Sequence, residues 1–318
     1  MSKRIIPEIP AGFPESRLLI FWCETPLHPG VGMVVKGGVD LPIQREKLTG
    51  LPMMQASSIK GALRKAAKSQ ISNNEVIALF GPEPSPPAPE HAGSMLLTDA
   101  HILLFPISSV KGMMCWVTSP MVLARFRRAL RYVGEDFEVP QELEECKVAV
   151  RDDSCLKIKV DGKDKVILMD ELELEVDCAR SQQVANISQW MINRLIPEDP
   201  SYNYVRQILP LRLAIVNDDV FRGITQRGTE VLTRVRLTDA KVVDEHGLWS
   251  EEHLPAFTVL YCSIFMPERF RGGVTSKKPK EVFDNVIMNV KRIVLGGHET
   301  VGRGIVRIVN ISPPKSGG

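Results

Sequence analysis

Residues 28–69 read HPGVGMVVKGGVDLPIQREKLTGLPMMQASSIKGALRKAAKS, a glycine-broken polar loop set directly before a basic amphipathic helix. Gly30, Gly32, Gly37 and Gly38 open backbone shapes closed to other residues, while His28, Asp40, Gln44, Arg45 and Glu46 bring acid, base, metal-ligand and phosphate chemistry. The helix is expected to be capped by Ser57 or Ser58. Its apolar face would be Ile59, Ala62, Leu63, Ala66 and Ala67, with Lys60, Arg64 and Lys68 in a stripe at i, i+4 and i+8. Ser57, Ser58 and Lys60 converge with the helix N-terminal N–H groups within one turn, which suits an anion; a capped surface helix would use the same residues. The loop is long for a compact domain, and Val31, Met33, Val34, Val35, Leu41, Ile43 and Leu48 must pack on protein or ligand.

Outward from this stretch, Arg17–Glu24 (RLLIFWCE) reads as a buried strand. After the basic helix come a short helix over 74–80 stopped by Gly81, the proline-rich PEPSPPAPE, and two strands around Asp99-Ala100. A strand MMCWVT follows, then a helix from Ser119-Pro120 to Tyr132, a meander over 147–177 turned at Asp161-Gly162, and a helix over 181–195. The last third reads as strand 211–216, helix 218–226, strand 229–238, a projecting hairpin through LTDAKVVDEHGLWSEEHLP, strand 257–266, a long helix 278–295 and the strand IVRIVNI.

Composition narrows the function. With 318 residues, 44% of them hydrophobic, the chain is an ordinary globular sequence without an apolar run of membrane-spanning length, and the expected location is cytoplasmic. A net charge of +2 excludes a polycation holding nucleic acid by bulk charge, so distribution must decide. Residues 1–72 hold ten Lys or Arg against five Asp or Glu, while acids gather in 135–145 and 170–177. The six cysteines form no C-x-x-C pair, which excludes a zinc ribbon and points to reduced, mostly buried thiols. No P-loop occurs, and Gly30-Val31-Gly32 stands too far from the next helix for a dinucleotide fingerprint. Nor is there a G-x-S-x-G or a paired-carboxylate spacing. A second glycine loop, GGHETVGRG (296–304), could bring the Gly296 and Gly297 amides and Arg303 to a phosphate, or could be a tight turn between helix and strand. His28 beside Pro29 is either structural or catalytic. Asp40 is either a turn residue or the carboxylate of a thin metal site completed by water and a substrate phosphate.

Together HPGVG, VDLPIQRE-x-x-TGLP, SSIKGALR and GGHETVGRG resemble the RAMP superfamily, most closely its backbone subunit in the type III-B (Cmr) CRISPR effector complex. DDVF, TRVRL and LWSEEHLP are similar to later segments of that family, so the resemblance covers most of the chain. It implies an α+β fold in one RAMP domain: a ferredoxin-like (RRM-like) palm over about 15–110 and 205–318, a helical and irregular insertion over about 111–204, and a β-hairpin thumb over about 234–258. It further implies copies stacked in a helical filament along the guide portion of a CRISPR RNA, in company with other subunits of the complex. Target RNA would be cut beside each thumb with a divalent cation, Mg2+ or Mn2+. The family's catalytic aspartate falls on Asp40, which would hold or orient the ion or position the attacking 2'-hydroxyl, with His28 assisting at the scissile phosphate. The thumb glutamate falls on Glu251 or Glu252, and a tyrosine commonly found two places later corresponds to His253. RNA backbone would be held without base readout by Ser57, Ser58, Lys60, Arg64, Arg45 and the Gly296-Gly297/Arg303 loop. The alternative implied by related backbone subunits is an RNA-binding role without nuclease activity.

Overall fold

The structure is a computed structural model that describes residues 7–32, 38–82, 92–239, 241–270 and 275–313, the side chains of 245 and 246 excepted. Met33, Val34, Val35 and Gly37 of the first loop, and most of the proline-rich stretch, lie outside these residues.

Strand β1 (Glu15–Cys23) is apolar almost without a break because it runs between two partners in the middle of the main sheet. Helix α1 (Ala56–Ala67) follows after the short β2 (Met53–Met54), burying Ile59, Leu63 and Ala67 as the helical spacing of the apolar face predicts. Helix α2 (Asn73–Phe80) opens on a Ser72/Glu75 capping box and stops at Gly81, where φ is +92°. Then come β3 (Leu96–Leu97), β4 (Ala100–Ser109), β5 (Met113–Thr118) and α3 (Pro120–Arg131). Strands β6 (Lys147–Ala149), β7 (Ile158–Val160), β8 (Lys163–Leu168) and β9 (Leu172–Val176) lead to α4 (Ser181–Arg194). Helix α5 (Asn203–Arg212), β10 (Leu213–Val216) and α6 (Asp218–Arg227) precede the hairpin of β11 (Glu230–Leu237) and β12 (Val243–His253). The chain closes with β13 (Val259–Met266), α7 (Pro279–Asn289), β14 (Arg292–Val294) and β15 (Ile305–Ile311).

Four of these strands lie side by side in the order β15-β1-β13-β4, every neighbour antiparallel. With α1 joining β1 to β4 and α7 joining β13 to β15, this is the ferredoxin-like arrangement the resemblance implies. The register places Leu19 opposite both Cys262 and Asn310. Beyond β4 the sheet continues through β5, β10, β6, β9, β8 and β7, with α3, α4 and α5 packed around it, while β11 and β12 form a separate two-stranded sheet that bridges to the first loop at Leu41.

Three expectations need correction. Neither Ser57 nor Ser58 caps α1: Gln55 holds that position, and the Asp99 carboxylate accepts from the Ala56 N–H at 2.8 Å. The long helix over 278–295 ends at Asn289, where Val290 turns extended and Arg292–Val294 pair with Ile305–Arg307. Of the six thiols, Cys23, Cys115 and Cys262 are buried, and Cys146, Cys155 and Cys178 are exposed. Helix α5 was not foreseen. Among the described residues no helix is long and apolar enough to cross a membrane.

The loop before α1 is tied to α3 through Glu46. Its carboxylate accepts from Arg125 at 2.9 and 2.8 Å, from His101 Nδ1 at 2.7 Å and from Thr49 at 2.6 Å. Burial alone would raise the Glu46 pKa, but these donors outweigh it and hold the group down at about 2. A depressed carboxylate contributes stability that is complete above about 4.5 and is lost as pH falls toward 2. At its upper bound this is about 3 kcal/mol. Urea unfolding between pH 5 and 2.5 should therefore show a shallower loss of stability in Glu46→Gln than in the wild type; equal slopes would show that Glu46 contributes nothing to acid sensitivity.

Candidate functional site at the hairpin base

The C-terminal end of β12 is where separate parts of the chain meet. Leu41 N–H donates to the Ser250 carbonyl at 3.0 Å, and Glu252 N–H to the Leu41 carbonyl at 3.0 Å. Further along, Leu27 and Leu254 exchange hydrogen bonds at 2.9 and 2.8 Å. The turn after β14 closes the other side: Gly297 N–H donates to the His28 carbonyl at 2.9 Å. A Cβ on Gly296, whose φ is +75°, would lie 2.3 Å from that carbonyl oxygen, so only glycine permits this approach.

Side chains alternate along β12, and the two faces do different things. On one face, Ser250 and Glu252 hold the loop. Asp40 Oδ2 accepts from Ser250 N–H at 2.8 Å and from its hydroxyl at 2.7 Å, and the Ser250 hydroxyl lies 2.9 Å from Asp40 N. Those hydrogen bonds, the backbone one first, lower the Asp40 pKa, so the exposed carboxylate is ionised at neutral pH. Glu252 is 7% exposed and accepts from Arg45 at 2.7 Å, Ile43 N–H at 3.0 Å and Thr229 at 2.9 Å.

On the other face, Glu251 and His253 turn toward His28 and His298. Glu251, 2% exposed, accepts from Trp249 at 2.8 Å and Arg234 at 3.0 Å. Burial would raise its pKa, but these donors and the nearby His298 outweigh it and lower it. The three histidine rings pack with centroids 4.7 to 5.7 Å apart, and one ligand nitrogen from each lies within 4.8 Å of the others, a group that could hold a divalent metal ion. Burial first, then Arg303 and His28, push the His253 pKa down to about 4, so its ring is neutral at pH 7.

The structure thus brings His28, Asp40, Arg45, Glu251, Glu252, Gly296 and Gly297 to one junction. Arg303 joins its edge, its backbone N–H donating to the His298 carbonyl at 3.3 Å and its guanidinium 3.9 Å from Glu230. Within that junction Arg45 is engaged with Gly50, Thr225 and Glu252, and Gly297 N–H is engaged with His28. Ser57 and Ser58 stand exposed on the first turn of α1. Lys60 is partly buried, its pKa lowered by that burial and by Arg64, whose guanidinium donates to the Pro82 carbonyl at 2.9 Å. Lys65 reaches from α1 to Glu299 at 3.0 Å, tying the helix to the second glycine loop. Sequence reasoning missed His298 as a partner of His28 and treated His253 only as a replaced tyrosine. The signal available was the histidine inside GGHET, but its neighbours come from elements far apart in the chain.

Comparison with known proteins identifies the family. The model of the RAMP superfamily matches residues 21–307. The "CRISPR system Cmr endoribonuclease Cmr4" of Pyrococcus furiosus is 34% identical over 300 residues, covering 92% of this chain and 95% of the relative. The "CRISPR system CMR subunit Cmr4" of Saccharolobus solfataricus is 26% identical over 299 residues, 89% of this chain and 92% of that one. A crystal structure of oligomeric Cmr4 from Pyrococcus furiosus superimposes with a TM-score of 0.69 at 27% identity, covering 95% of this chain and 99% of that chain. The chain belongs to the RAMP superfamily, among its Cmr4-type, Cas7-like backbone subunits.

Proposed function

We propose that the chain is a backbone subunit of a type III-B CRISPR effector complex that holds guide RNA and cuts complementary target RNA at regular intervals beside its thumb. The observation that carries the reading is Asp40, an exposed, ionised carboxylate pinned through Ser250 to the base of the hairpin. Support comes from the likeness to a Pyrococcus furiosus protein named as a Cmr endoribonuclease. The division into palm, insertion and thumb at the boundaries expected from sequence belongs to the same proposal. So do its partners: CRISPR RNA, target RNA, other Cmr subunits and further copies of the chain.

A single exposed carboxylate fits a Mg2+ or Mn2+ ion shared with water and the RNA phosphate rather than a closed protein cage. When bound there, the ion would neutralise charge developing on the phosphate. Asp40 orients that ion or the attacking 2'-hydroxyl. His28, 6% exposed with Nδ1 2.7 Å from the Glu252 carbonyl, braces the junction from behind and assists at the phosphate through it. Glu252 fixes the loop that presents Asp40, and Glu251 fixes the opposite face of β12. Ser57, Ser58, Lys60 and Arg64 on α1 meet the guide backbone, a sequence-blind grip of hydroxyls and cations, while Arg45, Gly296, Gly297 and Arg303 support it from the junction. Exposed Val231, Val235, Leu237, Val243 and Leu248 on the hairpin suit a thumb that packs on a neighbouring copy or a duplex.

The test is the complex assembled with guide RNA and given end-labelled complementary RNA. A ladder of regularly spaced products with Mg2+ or Mn2+, abolished by EDTA, supports the proposal. Target bound yet intact with either ion would establish the purely structural alternative.

A further inference from the structure

We infer that His28, His253 and His298, with the Glu251 carboxylate as fourth ligand, form a site for a borderline transition-metal ion of the Zn2+ class that clamps the thumb base to the palm. It lies on the opposite face of β12 from Asp40, and it shares His28 with the junction that presents Asp40.

Two buried ring atoms at this junction lack partners. His253 is wholly buried, and neither its Nδ1 nor its Nε2 has a hydrogen-bond partner, although a buried ring nitrogen left unpaired is costly. A metal ligand is one state in which such a nitrogen is satisfied. His28 is prepared in the manner of a ligating histidine: a carbonyl oxygen only accepts, so Nδ1, 2.7 Å from the Glu252 carbonyl, carries the proton and Nε2 keeps its lone pair. Glycine keeps that lone pair accessible, because a Cβ on Gly30 would stand 2.4 Å from Nε2. His298 is the third donor, and its backbone is in the left-handed region at φ +64°, where a non-glycine residue is strained. That conformation sets its ring against His28, centroid to centroid 4.7 Å.

Glu251 completes the set. Its Oε1 lies 3.5 Å from His298 Nδ1 and its Oε2 3.7 Å from His253 Nε2. It is itself oriented by Trp249 and Arg234, the outer hydrogen bonds that ligating carboxylates usually have. Three imidazoles and one carboxylate suit a borderline ion and not Mg2+, which prefers six oxygens. In a tetrahedral site the donors stand about 3.3 Å apart. The present nitrogens, within 4.8 Å of one another, would close by at most about 1.5 Å, and His298, 24% exposed, is the least buried of the three. The four residues come from the first loop, β12 and the turn after β14, so an ion here would join all three segments at one point, adding to the Asp40–Ser250 and Arg45–Glu252 contacts that already tie the loop to β12.

The experiment uses the full chain without RNA, stripped of metal and titrated with Zn2+, and with Co2+ as a spectroscopic probe. One equivalent of Zn2+ per chain is expected, retained through gel filtration, with a rise in Tm that Mg2+ does not produce and visible d–d absorption for Co2+. His298→Ala should weaken binding at least about 10-fold by removing one ligand, and His253→Gln should weaken it further; the first change lies on a surface turn and keeps the fold. Less than half an equivalent bound by the wild type, or binding that both variants leave unchanged, as it would be on the exposed thiols, would overturn the assignment. Metal binding by the free chain and target cleavage by the assembled complex are separate readouts, so failure of this assignment is distinguishable from failure of the proposed function.

Discussion

Asp40→Asn is expected to lower target cleavage by the assembled complex at least about 100-fold, the usual scale for removing a group acting on the reacting centre, while binding of guide and target stays within about twofold. This substitution separates charge from structure. Asparagine keeps an oxygen to accept from Ser250 N–H and hydroxyl, so the loop remains fastened to the hairpin and only the negative charge is lost. Asp40→Ala removes both, and comparison of the two variants in cleavage and thermal melting divides the residue's roles. Equal loss of cleavage and binding in Asp40→Asn would make this a structural carboxylate.

Glu252→Ala should be the most destabilising change at the junction. It strips the buried partner from Arg45 and leaves the Ile43 N–H and Thr229 hydroxyl without their acceptor. Removing one member of a buried pair costs about 3 to 5 kcal/mol, which in a chain of this length lowers Tm by roughly 5–10 °C. Differential scanning calorimetry of the isolated chain reads this directly. A Tm unchanged within 1 °C or so, with cleavage lost, would instead make Glu252 the thumb's reacting glutamate.

How far sequence reached depends on whether a signal was local. Strand β1 was legible because its apolar run admits few other readings, and α1 because Ile59, Leu63 and Ala67 keep helical spacing. The helix over 278–295 was overextended because Val290, Ile293 and Val294 continue the same apolar spacing. Pairing of β14 with β15 outweighed it, as β-branched residues allow. Helix α5 escaped notice because Pro210 interrupts its pattern. At the site, local sequence offered Asp40 and His28 with a structural alternative beside each, and the family resemblance chose the functional one. Glu251 and Glu252 were left open, since alternation assigns a face only once the strand's neighbours are known. His28, His253 and His298 meet across three elements, and no local spacing announces that.

The most direct test of the account is to build complexes from mixtures of wild-type and Asp40→Asn subunits and measure the cleavage ladder on a fully bound target. Every internal rung should fade in proportion to the fraction of variant subunit, reaching background when all copies carry the change. A ladder undiminished in the all-variant complex would place the cutting group elsewhere and contradict the role assigned to Asp40.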